Sequence, residues 1–283
     1  MSIFDSFEKK HEYLVCVDSD GCVMDTMNCK HFRCFGPCMV DEWGLDPWRE
    51  EILERWNEIN LFSMTRGINR FKGLAIALGE INEKYTLIPG VAALQHWADT
   101  APALSNDGAA KAAEEATDPE EKLVLTKALN WSKTVNASIG QLPEEVKVPY
   151  DGAKEGLAAA HSFADVAMVS SANRDAVEEE WGKFGLLEHT DIVLAQDVGS
   201  KAACIAAMLR FGYDPKRVLM VGDAPGDSDA AEKNGVYYYP ILVNHEKESW
   251  DEAIAVAFGK LQSGDYAAYG AQKKQEFLHN LGG

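Results

Sequence analysis

Tyr13-Leu-Val-Cys-Val17-Asp18-Ser-Asp20-Gly21-Cys-Val-Met-Asp25-Thr26 begins with a short apolar run and passes directly into carboxylates and a glycine. Such a run, cut off by Asp and Gly, predicts a buried strand entering a turn. The pattern recurs downstream. Val166–Val169 ends at Ser170-Ser171, Ile192–Leu194 follows an aspartate, Val218–Val221 ends at Gly222-Asp223, and Val236–Tyr239 ends at Pro240. Helical stripes lie between these runs. Asn173 can cap a helix carrying Val177, Trp181 and Phe184, and Ser200 one carrying Cys204, Ala207, Met208 and Phe211. Strands alternating with such helices predict an α/β fold, a Rossmann-like parallel sheet with helices on both faces.

Residues 27–148 read differently, with helix signals and no strand run. Asp46-Pro47 is a cap and first turn for a stripe of Trp48, Ile52, Trp56 and Ile59. Phe71, Leu74, Leu78 and Ile81 make a second stripe. Asp118-Pro119-Glu120-Glu121 starts a third helix, with acids at the positive end of its dipole and Val124, Ala128, Trp131, Val135 and Ile139 on one face. Two further helical patterns follow Trp250. The expected organisation is a core domain of residues 1–26 and 149–283, interrupted by a helical domain of residues 27–148.

Composition limits the partners. The 283 residues suit two domains, and 27 basic against 45 acidic residues leave a formal charge of −18. That field opposes nucleic acid and anionic membranes. The first ten residues lack the basic lead and apolar run of a secretory signal, and no stretch approaches the length of a spanning helix. The six cysteines are too few for a disulfide scaffold, and the C-x4-C-x3-C spacing of Cys29, Cys34 and Cys38 lacks the paired look of a zinc site. These features predict reduced thiols and a cytoplasmic location. Oligomeric state is not legible.

In open parallel sheets, ligands bind outside the carboxyl ends of the strands. Those ends carry Asp18, Asp20, Ser170, Asp223 and Asp227, and Lys201 joins them from the first turn of the helix capped by Ser200. Two like charges about 4 Å apart cost roughly 4 kcal/mol at an effective dielectric near 20. Four carboxylates against one lysine therefore call for a cation. Hard oxygen ligands without a convergent histidine favour Mg²⁺ over zinc.

Asp18-Ser-Asp20-Gly-Cys-Val-Met-Asp25-Thr26 resembles the DxDGxxxDT signature of the haloacid dehalogenase superfamily. Ser170, Lys201 and Gly222-Asp223-xxx-Asp227 resemble its second, third and fourth motifs, in order. The resemblance spans roughly residues 11–26 and 149–244, and the family places a C1-type cap where the helical insert falls. It implies a phosphatase acting on a small phosphorylated metabolite. Asp18 would be the nucleophile, Asp20 the acid and base, Ser170 and Lys201 partners of the phosphoryl group, with backbone amides after Asp18 forming a nest. Asp18, Asp223 and Asp227 would hold Mg²⁺ together with the backbone carbonyl of Asp20, Asp227 alternatively orienting Lys201. The acid at Asp20 disfavours dehalogenation, since a halide leaves without a proton. A phosphomutase, or a binding protein with a vestigial site, stays open as an alternative, while a receiver domain would lack Asp20 and the insert.

Ser171 is a neighbouring candidate for substrate binding. In the insert, Lys30, His31 and Arg33 follow the first motif closely, with His31 read as structural. Arg66 and Arg70, four apart, could share one helical face as an anion handle or simply form a solvated face. Asp25 and Thr26 suit either a turn and cap or substrate contact.

Overall fold

The computed structural model describes residues 3–283, in two compact units. One comprises Met1–Met27 with Glu144–Gly283, the other Asn28–Pro143. The second crossing falls at Glu144 because the residues after it are tied into the α/β unit. Glu144 pairs with Lys147 and Lys183, and Val148 accepts the amide of Asp25.

The α/β unit holds five parallel strands: β1 (Tyr13–Val17), β2 (Ala164–Val169), β3 (Ile192–Leu194), β4 (Val218–Gly222) and β5 (Tyr237–Pro240). Their order is β3-β2-β1-β4-β5, with Val15 registered against Val166 on one side and Leu219 on the other. Strands β2 and β4 are buried along their whole length, which requires helices on both faces. Strand order reverses between β1 and β4, the point at which such sheets open a crevice. Asp18 and Asp223 follow the carboxyl ends of those two strands.

The helices between strands start where their caps predict. Asn173 Oδ1 accepts the amide of Ala176 at 3.3 Å, and Ser200 Oγ that of Ala203 at 3.2 Å. Both helices are shorter than their stripes. Arg174–Lys183 ends before Phe184, and Lys201–Leu209 before Phe211. After β5 the chain forms Glu246–Glu252, a π-helical turn Ala253–Ala257, then Phe258–Ser263 and Tyr266–Asn280. This tail packs on the edge strand β5, where Tyr266 donates to the carbonyl of Tyr238 at 2.9 Å.

The helical unit is built on its tryptophans. Phe35, Trp56, Phe71 and Trp131 are buried, with ring centroids 5.9–6.5 Å apart between neighbours. Trp131 also donates to the carbonyl of Phe35 at 3.1 Å. Phe71, Leu74, Leu78 and Ile81 form the buried face of helix Arg70–Lys84. Asp118 caps helix Pro119–Gly140 through the amides of Glu120 and Glu121. Asp46 does not cap as expected. It begins a one-turn 3-10 helix, Asp46–Trp48, and its carboxylate is occupied by Arg49 at 2.7 Å. Trp48 is consequently only half-buried. No described helix is long and apolar enough to cross a membrane.

Candidate active site

Asp18 continues the β1 ladder, its amide donating to the carbonyl of Val221 at 3.0 Å. The chain then tightens. The carbonyl of Ser19 accepts the amides of Cys22, Val23 and Met24, and Gly21, at φ +86°, returns its amide to Met24. A side chain at Gly21 would be strained in that left-handed conformation. The expected nest is correspondingly reduced, because the amides of Gly21 to Met24 are already donors within the turn.

Two indoles fasten this turn from outside. Trp181 donates to Ser19 Oγ at 2.9 Å, and Trp250 to the carbonyl of Cys22 at 3.0 Å. Sequence reading assigned Trp181 to a core face and gave Trp250 no role. An indole reads as an apolar group until its N–H partner is known.

Asp18, Asp223 and Asp227 each offer an oxygen within 4.8 Å of the others, all three residues being buried. Lys201 Nζ lies 2.9 Å from Asp18 Oδ1 and 2.6 Å from Asp227 Oδ1. Burial pushes the Asp18 carboxyl well above the usual range, Lys201 opposes that, and Asp227 and Asp223 add to it. Burial would lower the lysine pKa, but Asp18 and Asp227 outweigh it and hold the ammonium above its ordinary value. Asp227 also accepts the amide of Ala224 at 3.1 Å. It folds back over Gly222, where a Cβ would meet the Asp227 side chain at 2.4 Å. The glycine of the Gly222-Asp223 pair thus makes room for the fourth carboxylate.

Asp20 does not join that group. Its carboxylate accepts instead from the Thr26 hydroxyl, which places it beside the acidic cluster as a separate group. The side chain is thus kept for proton transfer, and the metal contact expected of Asp20 is one of its backbone carbonyl. Thr26 is fully buried, and its place at the end of the DxDGxxxDT stretch was the signal for this contact. Asp25 lines a cavity of about 360 Å³ with Tyr150, Asn244 and Glu246. Ser170 is buried, its Oγ accepting the amide of Ala172 at 3.1 Å, whereas Ser171 is exposed.

The arginine pair does not form one helical face. Gly67 (φ +68°) and the cap Asn69 intervene, so Arg66 lies in the preceding turn and Arg70 begins helix Arg70–Lys84. Arg66 is 2% exposed, with Nη1 on the carbonyl of Leu61 at 2.7 Å, which excludes it as an accessible handle. Lys30 ends the helix Met27–Lys30, half-buried. His31 is held by Trp56, whose Nε1 donates to His31 Nδ1 at 3.1 Å, and it stacks on Phe35. All six cysteines are free thiols, and Cys29, Cys34 and Cys38 form no three-ligand group among the described residues.

The family model described as "Haloacid dehalogenase-like hydrolase" matches residues 100–240, about half of the chain. The chain belongs to the haloacid dehalogenase-like hydrolases. The match takes in Ser170, Lys201, Asp223 and Asp227, while Asp18 and Asp20 precede it. No curated protein matches the sequence. Among solved structures, the chain is similar to a haloacid dehalogenase-like family hydrolase from Xanthomonas campestris, at 14% identity and TM-score 0.48, over 94% of this chain and 97% of that one. It is also similar to a haloacid dehalogenase-like family protein from Streptococcus pneumoniae, at 10% identity and TM-score 0.43, covering 81% and 83%. A third is a HAD-superfamily hydrolase, subfamily IA, from Geobacter sulfurreducens, at 15% identity and TM-score 0.37, covering 83% and 89%.

Proposed function

We propose that this hydrolase cleaves a small phosphomonoester in a Mg²⁺-dependent reaction. The observation that carries the reading is the buried group of Asp18, Asp223 and Asp227 bridged by Lys201. Three oxygen donors, with no thiol or imidazole among them, fit a hard divalent cation. Mg²⁺ held there would neutralise carboxylate charge and polarise a phosphoryl oxygen.

The residues divide the work. Asp18, fixed by the β1–β4 ladder, attacks phosphorus, forming an oxygen–phosphorus bond as the ester bond breaks. Lys201, salt-bridged to Asp18, offsets the repulsion between carboxylate and phosphate. Asp20, held by Thr26, gives a proton to the departing alkoxide and takes one from the water that then cleaves the aspartyl-phosphate. Ser170 directs its hydroxyl hydrogen to a phosphoryl oxygen. Asp227 orients Lys201 while offering an oxygen to the metal. The helical unit lies in sequence where the family carries a cap, and we assign it the selection of substrate.

The test is phosphate release from sugar phosphates, nucleotides and small phosphorylated acids, with Mg²⁺ and with chelator. Mg²⁺-dependent release from one subset is the expected result. Folded, Mg²⁺-bound protein that releases phosphate from none of them would overturn the phosphatase reading, and a bisphosphate-primed isomerisation assay would then test the mutase alternative.

A further inference from the structure

In a chain with a charge of −18, a half-buried arginine whose bonds all go to neutral groups calls for a reason. Arg49 pairs with Asp41 and Asp46, Arg55 with Glu58 and Glu80, and Arg174 with Glu178 and Asp197. Arg70 is different. Its Nη1 donates to Ser132 Oγ at 3.1 Å, to the Ser132 carbonyl at 3.4 Å and to Asn136 Oδ1 at 2.6 Å, all neutral acceptors. Its Cζ lies 4.9 Å from the centroid of the Phe35 ring. One nitrogen and one face of the guanidinium are thus fixed.

The other two nitrogens are unused. Nε and Nη2 donate to no group among the described residues, and neither is a buried unpartnered atom, so both face solvent. Their N–H bonds run parallel along one edge of the plane, the edge that meets both oxygens of a carboxylate or phosphate. Burial lowers the Arg70 pKa, as expected of a cation that lacks a counter-charge. Helices Arg70–Lys84 and Asn106–Glu115 both start beside it. Asn69 Nδ2 bonds the carbonyl of Leu104 at 3.1 Å, and Ser132 Oγ bonds Asn106 Oδ1 at 2.7 Å. Their dipoles add positive potential there.

We propose that Arg70 forms an oxyanion site on the helical unit, its Nε–Nη2 edge taking the carboxylate or phosphate of a small ligand, with Ser132 and Asn136 as positioning residues. The site rests on contacts within that unit and is independent of the phosphatase reading.

The experiment follows the Arg70 Nε–H signal by nitrogen-15 NMR in the full chain, assigned by its loss in Arg70→Lys. The probes are inorganic phosphate and malonate. A saturable shift with either, at a Kd on the order of 1 mM, is expected. Asn136→Asp supplies an internal counter-charge at an exposed position and should weaken binding about tenfold or more. It also serves if Arg70→Lys fails to fold, since the signal it perturbs identifies itself. No saturable shift with either anion, or unchanged affinity in Asn136→Asp, would overturn the proposal. A pair of phosphomonoesters differing only by a carboxylate then identifies the anion's source. If Asn136→Asp raises KM about tenfold more for the carboxylated ester, the anion is part of the substrate. Binding without that difference supports the site as one for a separate effector.

Discussion

Trp250 and Cys22, 228 positions apart in the sequence, are joined by a hydrogen bond of 3.0 Å from the indole N–H to the backbone carbonyl. The bond ties the helical tail to the turn that carries Asp18 and Asp20. Gly156 makes the contact possible, because a Cβ there would lie 2.2 Å from the Trp250 ring. A helix residue normally carries a side chain, and here the missing one gives the indole its berth. Trp250→Phe should therefore cost about 1–3 kcal/mol of stability, from one buried hydrogen bond and some packing. It should also lower kcat about tenfold with little change in KM, since a loosened turn misplaces the nucleophile without removing a substrate contact. Steady-state kinetics, referred to the folded fraction, beside urea unfolding check this, and lost stability with an unchanged kcat per folded molecule would make the bond purely structural.

How much of this was legible in advance depends on the range of the interaction. The strands were, because runs such as Val218–Val221 end at Gly and Asp and need no distant partner to be read. So was Lys201, through the Ser200 cap. Arg66 and Arg70 misled for a local reason, since spacing alone does not show that Gly67 and Asn69 break the helix between them. For Asp20 the motif supplied the residue but not the Thr26 hydroxyl that holds its carboxylate. Trp250 and Trp181 escaped because their partners lie far away in sequence and are backbone or hydroxyl oxygens, which leave no pattern to detect.

Asp18→Asn separates chemistry from folding. The wild-type carboxyl is buried among Asp223 and Asp227, and burial already works against its charge. Lys201 keeps its bond to Asp227 when that charge is removed. Turnover should fall at least about a thousandfold, while the thermal midpoint stays level or rises. Undiminished Mg²⁺-dependent turnover in the variant would remove Asp18 as the nucleophile.

Metal linkage gives a readout that does not need substrate. Three carboxylates within 4.8 Å of each other repel, and the single ammonium of Lys201 leaves negative charge there for a second cation to offset. Mg²⁺ should raise the unfolding free energy, by about 2.7 kcal/mol at a hundred times its Kd. Asp223→Asn should lose most of that response and be at least as stable as wild type in chelator. Equal Mg²⁺ responses from the two proteins, measured by thermal unfolding, would place the ion elsewhere.

Asp191 makes a pH prediction away from the site. Its carboxylate, 5% exposed, accepts from the Val166 amide and from Lys10 Nζ, each at 2.8 Å, and lies 3.3 Å from His161 Nε2. It thereby anchors the start of β3 to β2. Burial raises its pKa, but Lys10, the Val166 amide and His161 outweigh burial and leave it below the ordinary value of 3.8. A carboxyl depressed in the folded state contributes stability that is fully present above its unfolded pKa and is lost as pH falls through the folded value. Asp191→Asn should be less stable than wild type at pH 7 by about 1–3 kcal/mol, since an amide cannot match the carboxylate's charged bonds. That difference should persist down to about pH 4 and shrink at lower pH, as wild type loses the charge the variant never had. Urea unfolding of both proteins across that range measures the gap directly, and a difference that stayed constant below the ordinary carboxyl range would mean that the ion pair contributes nothing.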